Sequence, residues 1–415
     1  MEREEFLNLT QGRTAFVYAV NLEGIGFMRR LRHLGLDVGG FIDSRPFGHK
    51  HGLPVIHPDE FFARGDKNVF ILIATKHVGI RKEAMDRCKA FGLERGAGFM
   101  MFTDLCDYMP TVEIAGLCNL RCRTCNMGLP GANQKGGLMS AETFAKVMAK
   151  LSTEIPFMNS IYLYLWGEPL LNPDLPEILR ITARYGVASE ISTNLINVTR
   201  LEDTIAAAPD VIVTPCAGIG ENFALGRTGG TWDVYRDNLY RLRELLDRYG
   251  HETQVRITYH GYKNNMDEDY DVVESIAREL DFQIYPILAQ IFPERVLRKV
   301  LHDEPIPDVM LEASKNLCYS IEDQLAHAYS NRDKYCPVIR AFPTVRWDTS
   351  VAHCSNMMEP VVANSYLDMP FDEILRTRDG NGFCGRCMDA GLHRYFYVHT
   401  KFARDANGRR IMVRG

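Results

Sequence analysis

The chain has no basic excess: 48 Lys and Arg stand against 53 Asp and Glu in 415 residues, a net charge of -5. Nothing is then available to hold a polyphosphate backbone, so nucleic acid is not an expected partner. Long apolar runs are missing as well. The longest, Val69-Phe70-Ile71-Leu72-Ile73-Ala74, falls far short of the ~20 residues that span a bilayer. Met1-Glu2-Arg3-Glu4-Glu5 lacks the apolar stretch of a signal peptide. The expectation is a cytoplasmic protein with no membrane partner. Neither internal repeats nor low-complexity tracts occur. In a reducing compartment the eleven cysteines are not expected to form disulfides, and clustered thiols there serve metals or catalysis.

At roughly 100 to 200 residues per domain the length suggests two to four domains, and the pattern predicts an α/β fold in several units. Residues 1–105 read as a small alternating unit with strands at Ala15–Val20, Val38–Asp43 and Val69–Thr75, and helices at Phe27–Leu34 and Arg81–Phe91. That alternation suits a doubly wound parallel sheet. The turn Asn21-Leu22-Glu23-Gly24-Ile25-Gly26 keeps part of a pyrophosphate-binding glycine pattern, with Asp43 where a ribose partner would stand. A docking role for this unit is the preferred alternative to nucleotide binding.

Residues 106–290 show six further candidate strands, Thr111–Ala115, Ile161–Trp166, Ala188–Thr193, Val211–Pro215, Val255–Tyr259 and Phe282–Pro286. Helical patterns lie between them: Glu142–Leu151 capped by Ser140, Leu175–Tyr185, Val234–Tyr249 and Tyr270–Leu280. Six βα repeats suit a partial (β/α)6 TIM-like barrel, with its chemistry at the carboxyl ends of the strands. Residues 291–335 read as a helical connector. Residues 336–415 read as a small domain that begins with a hairpin, Thr344–Trp347 and Val351–Cys354, and ends in a basic tail. The Asn407-Gly408 signal in that tail marks a terminal hairpin or a frayed end.

Cys118-x3-Cys122-x2-Cys125 follows the first of the six strands. Three thiolates on one loop leave one iron of a four-iron cluster open to an outside ligand. A structural zinc would need a fourth ligand, and no His occurs between His77 and His251. The motif resembles that of the radical S-adenosylmethionine (SAM) superfamily. In that resemblance Gly167 and Glu168 of Trp166-Gly167-Glu168-Pro169 match the segment that holds the SAM amino group, and Ser192 and Asn194 match its ribose- and carboxylate-contacting strand end. Arg227 matches an arginine that pairs with the SAM carboxylate, and Asn265 fits a further family position. Singly, each also suits a cap or turn; in order at successive strand ends they support one another. Thr124 departs from the aromatic that often precedes the last cysteine, and Trp166 stands in place of a glycine.

Cys336-x17-Cys354 followed by Cys384-x2-Cys387 supplies four more thiolates, enough to saturate a second four-iron cluster suited to electron transfer. Zinc is the alternative, although a four-cysteine ribbon usually has two close pairs. The spacing resembles the twitch domain, a shortened SPASM auxiliary domain that follows some radical SAM barrels. Of the remaining cysteines, Cys88 reads as a buried small hydrophobe, Cys106 and Cys318 have no informative context, and Cys216 ends the fourth strand. There a thiol could donate a hydrogen atom or a proton, or simply pack.

The resemblance implies two 4Fe-4S clusters, SAM, and an electron donor of flavodoxin or ferredoxin type. An electron reduces the first cluster, SAM is cleaved, and a 5'-deoxyadenosyl radical takes a hydrogen atom from a small-molecule substrate. The second cluster then accepts an electron, giving a two-electron oxidation. In domain plan the chain resembles the twitch-domain cyclitol (2-deoxy-scyllo-inosamine) dehydrogenases. Its N-terminal unit, with Gly39–Ser44 and Gly52–Ile56, resembles Rossmann-like domains of sugar-modifying enzymes, which points to a sugar, cyclitol or nucleotide-sugar. Cys216, Tyr259 and His260, at strand ends, are the catalytic candidates. Peptide or protein modification, or epimerisation using Cys216, are the alternatives, and an electron carrier with no catalysis is a further one.

Overall fold

Two parallel sheets, placed side by side by one buried helix, organise the chain. The computed structural model describes residues 3–132, 136–395, 400–406, 408 and 410–414. The first sheet holds β1 (Thr14–Tyr18), β2 (Val38–Ile42), β3 (His49–Lys50), β4 (Leu53–Ile56), β5 (Val69–Ile73) and β6 (Phe99–Met101), in the order β3-β4-β2-β1-β5-β6. All pairs are parallel except β3 with β4. The near-continuous apolar run of β5 is buried throughout, as a strand covered on both faces must be.

The second sheet has nine strands. β7 (Thr111–Val112), β8 (Ser160–Tyr162), β9 (Ala188–Ser192), β10 (Val211–Cys216), β11 (Gln254–Gly261) and β12 (Gln283–Leu288) lie in sequence order and all parallel. β13 (Thr344–Val345) then pairs in parallel with β7 on its other side, and β14 (Val351–Cys354) and β15 (Met357–Ala363) continue the sheet antiparallel. The C-terminal hairpin is therefore an extension of the same sheet. A separate two-stranded ribbon joins β16 (Thr400–Arg404) to β17 (Arg410–Arg414). It supports the hairpin reading of the tail, while Asn407 of the turn lies outside the described residues.

The expected helices form with shifted ends. Ser140 caps Ala141–Glu154 by accepting the Thr143 N–H, and Leu175–Arg184, Trp232–Tyr249 and Glu268–Glu279 follow. Three helices, Pro293–His302, Asp308–Ser314 and Ile321–Ser330, fill the connector. No helix among the described residues is long and apolar enough to cross a membrane.

Helix Leu22–His33 explains the glycines after β1. A Cβ on Gly26 would lie 2.0 Å from the carbonyl oxygen of Asn159, which immediately precedes β8. One on Gly24 would lie 2.0 Å from Ala19 O. Gly26 lets the helix press on the second sheet, and Gly24 lets it pack on the turn after β1. At the helix start, Glu23 is buried and pairs with Lys76 at 2.7 Å, and Lys76 also donates to Tyr162 Oη. Further along, Arg29 pairs with the buried Asp210 at 2.5 Å. Asp43 is occupied too, accepting the Val20 N–H and binding the Arg45 guanidinium. The turn expected as a possible phosphate cradle is thus filled by protein.

Candidate functional site

The segments that follow β7, β8, β9, β10 and β11 converge on one cavity of about 420 Å³. Cys118, Cys122 and Cys125 line it together with Gly167, Glu168, Ser192, Asn194, Arg227 and His260. Nine residues expected from separate strand ends are thus brought to one place.

Burial and then crowding set the charges there. Burial pushes the thiol of Cys118 up to about 11 and that of Cys125 up to about 12, with neighbouring acidic groups adding to it. A thiolate in such a place needs a cationic metal group beside it. Arg227 has its Nε buried without a hydrogen-bond partner. A guanidinium with an unpaired donor facing a cavity is a ready seat for a carboxylate. Its NH2 group stands 3.5 Å from His260 Nε2. Burial, then that cation, pushes His260 well below the ordinary imidazole value, so it is neutral at pH 7.

Glu168 is held by two backbone N–H groups and the Thr193 side chain. Its Oε1 accepts the Leu170 N–H at 3.0 Å and its Oε2 the Asn194 N–H at 2.7 Å. Burial pushes this carboxyl up to about 7 despite those bonds. Asn194 in turn donates from Nδ2 to Asn119 Oδ1 at 2.9 Å, inside the loop that carries the three thiols. Gly167 has a different role from the expected close approach to a ligand. A Cβ there would meet Ala115 O at 1.9 Å and Leu117 O at 2.7 Å, so the missing side chain admits the cysteine loop.

Two of the three catalytic candidates do not reach the cavity. Side chains alternate along a strand. In β10, Val213 and Pro215 line the cavity, while Thr214 contacts Tyr235 of a flanking helix and Cys216 is buried, donating to Gly218 O at 3.4 Å. In β11, Thr258 and His260 line the cavity, and Tyr259, the register partner of Cys216, turns away to donate to Asn265 O. Burial holds the Cys216 thiol up at about 12. Asn265 is structural: its Nδ2 donates to Ala217 O and His260 O, tying the ends of β10 and β11.

Several lining residues were not anticipated. Trp166 packs on Phe292 with ring centroids 3.7 Å apart, and the Phe292 N–H donates to Thr124 O at 2.7 Å. This aromatic pair stands beside Thr124, where the sequence lacks an aromatic. Phe292 lay in a stretch read as connector, so only its position just past β12 could have suggested it. Off this cavity, Glu113, beside β7, accepts the Trp166 N–H at 3.3 Å, and burial pushes it up to about 7.

The second thiol set also meets. Cys336, Cys354, Cys384 and Cys387 line a single apolar cavity with His353 and Arg378. Cys354 comes from β14, Cys384 and Cys387 from one helix, Phe383–Asp389. Burial pushes Cys354 up to about 12 and raises the other three. Among the remaining cysteines, Cys88 is packed in a helix, Cys106 donates to Tyr108 O at 3.0 Å and Cys318 to Gly261 O at 3.5 Å.

The family described as Radical SAM superfamily matches residues 112–276. No curated protein matches the chain. Among solved structures, Streptococcus suis SuiB bound to precursor peptide SuiA is 11% identical, with 76% of this chain and 75% of that one covered at a TM-score of 0.47. Native anSMEcpe with bound AdoMet is 15% identical, with 66% and 82% covered at 0.46. BtrN in an open conformation is 25% identical over 26% of this chain and 49% of its own, at 0.22. The stretch that supplies the first thiol triad and the strand ends around it is, by its family match, a radical SAM superfamily domain, which implies S-adenosylmethionine and an iron–sulfur cluster as cofactors.

Proposed function

We propose that this protein is a radical SAM oxidoreductase that dehydrogenates a small hydroxylated substrate, of sugar, cyclitol or nucleotide-sugar type, in the cytoplasm. The observation that carries the reading is the presence of two separate thiol sets, three Cys around one cavity at the strand ends and four Cys around another. Arg227, whose Nε has no partner, and the buried thiols fit the cofactors: Cys118, Cys122 and Cys125 would hold a 4Fe-4S cluster and Arg227 the SAM carboxylate, while Cys336, Cys354, Cys384 and Cys387 would hold an auxiliary 4Fe-4S cluster. When bound, these groups supply a carbon radical that removes a substrate hydrogen atom and a sink for the electron left behind, with a flavodoxin- or ferredoxin-type donor upstream.

The chain's own residues do the positioning. Glu168 locks the β8 and β9 ends against each other, and Asn194 links them to the cysteine loop. The pair Trp166 and Phe292 forms an apolar wall, in which a planar ring can stack. His260, neutral and facing the cavity, accepts from the Arg227 guanidinium at Nε2, which leaves its Nδ1–H as a donor to a substrate hydroxyl oxygen. Cys216 faces away from the cavity, which leaves the epimerisation reading without its hydrogen donor. The cavity volume of about 420 Å³ is in the small-molecule range. In this reading the N-terminal Rossmann-like unit docks on the partial barrel through helix Leu22–His33 and binds no nucleotide at its glycine turn.

Anaerobic reconstitution should give about eight irons per chain, two clusters of four. With reductant and SAM, 5'-deoxyadenosine should form, and a polyol panel should yield a product two hydrogens lighter. Retained SAM cleavage after Cys118→Ala, or bound zinc in place of half the iron, overturns the corresponding part of the reading.

A further inference from the structure

We propose that His353 sets the reduction potential of the cluster held by the C-terminal thiols, by donating its Nε2–H to the sulfur of Cys384. The inference rests on the auxiliary-cluster reading given above. It follows from a chain of hydrogen bonds in which each bond fixes the next.

The first bond orients an amide. The Phe383 N–H donates to Asn381 Oδ1 at 2.9 Å, so the oxygen of that side chain is identified and the other terminal atom must be Nδ2, a donor. Asn381 Nδ2 stands 3.0 Å from His353 Nδ1. A donor facing Nδ1 requires a lone pair there, which places the single proton of a neutral imidazole on Nε2. His353 Nε2 lies 3.3 Å from Cys384 Sγ. A ligating cysteine is a thiolate with no proton of its own. The one hydrogen between these atoms is therefore the imidazole's, and it points at sulfur.

The ring is held for this purpose. His353 is 0% exposed, on β14 one residue before Cys354, and it packs on Phe383 with centroids 4.4 Å apart. No solvent competes for its Nε2–H. Asn381 and Phe383 both lead into the helix that carries Cys384 and Cys387. Thiol and donor are thus positioned by the same turn.

A hydrogen bond to a cluster sulfur stabilises the more negative, reduced state and raises the potential. The test uses the full chain with Cys118, Cys122 and Cys125 changed to Ala, so that only the C-terminal site can bind iron. About four irons per chain are expected there; their absence removes the auxiliary-cluster reading and the proposal with it. With the iron present, a redox titration followed by electron paramagnetic resonance measures the tuning. His353→Phe keeps a ring but no donor, and should lower the reduced-to-oxidised ratio at fixed poise tenfold, about 59 mV for one electron. His353→Gln, which restores a donor, should recover most of the shift, and Asn381→Leu should give an intermediate loss. A His353→Phe protein with full iron and a ratio changed less than twofold overturns the proposal. Should His353→Phe lose its iron, the unsubstituted histidine is read directly. An exchangeable proton on a histidine ring nitrogen, identified by ring-15N-labelled histidine and coupled to the reduced cluster, supports the donor, and its absence overturns it.

Discussion

Glu168 and Asn194 are joined across two strand ends, the carboxylate Oε2 accepting the Asn194 backbone N–H at 2.7 Å while Oε1 caps Leu170. A residue matched to SAM recognition is therefore also the clasp that shapes the site. In Glu168→Gln an amide NH2 must face one of those backbone donors. The expected loss is about 1–3 kcal/mol of stability, together with at least tenfold weaker SAM binding by equilibrium dialysis. Unchanged binding and unchanged melting would refute the clasp.

Gly26→Ala tests how the N-terminal unit is attached. The new methyl would collide with Asn159 O, and overpacking of this kind costs about 1–3 kcal/mol. Thermal unfolding should shift down accordingly. Neither the parent protein nor the variant should bind NADH or a nucleotide-sugar at this turn, since Glu23 and Lys76 already occupy the helix start. Nucleotide binding lost in the variant would reinstate the phosphate-cradle reading.

Cys216→Ala and Tyr259→Phe should leave SAM cleavage within twofold of the parent, because both side chains lie off the cavity. The thiol leaves a small cavity costing about 1 kcal/mol, and Tyr259→Phe loses the buried bond to Asn265 O, about 1–3 kcal/mol of stability. A tenfold or greater loss of 5'-deoxyadenosine formation in either variant would return it to the catalytic set.

Glu113 gives a pH signature in the apoprotein. Its folded-state value is raised from 4.5 to about 7 by burial, so the native state holds a proton that the unfolded chain releases between these values. The stabilisation is complete below pH 4.5 and lost as pH rises through 7. Glu113→Gln never loses it. Relative to the parent, the variant's urea midpoint should therefore improve between pH 5 and pH 8; parallel pH profiles would contradict a shifted Glu113.

What could be read in the sequence and what could not divide along physical lines. Thiol spacings and strand-end segments are local, and the backbone carries Cys118, Glu168, Asn194 and Arg227 to one cavity much as their order implied. The facing of β10 was not legible, because Val211–Cys216 has no regular alternation of polar with apolar residues. That of β11 was: Arg256, Thr258 and His260 alternate with Val255, Ile257 and Tyr259, a polar face opposite an apolar one. Cys216 and its register partner Tyr259 fell on the wrong side. His260 fell on the right one. Short strands such as β3, β4 and β6 carry too little pattern to register, and β15 was missed although it continues the hairpin that was anticipated. The Asn381–His353–Cys384 chain spans residues distant in sequence and exists only after folding.

The pairing of β13 with β7 has a consequence for distance. Two redox groups joined by a flexible tether would sample many separations, and electron transfer would wait on the close ones. Here Cys354, one of the four C-terminal thiols, sits on β14, two places along from β7 in a ladder whose neighbours are about 4.8 Å apart. The position of Cys354 relative to the start of the first thiol loop is thereby set by strand pairing, before any cofactor or substrate arrives.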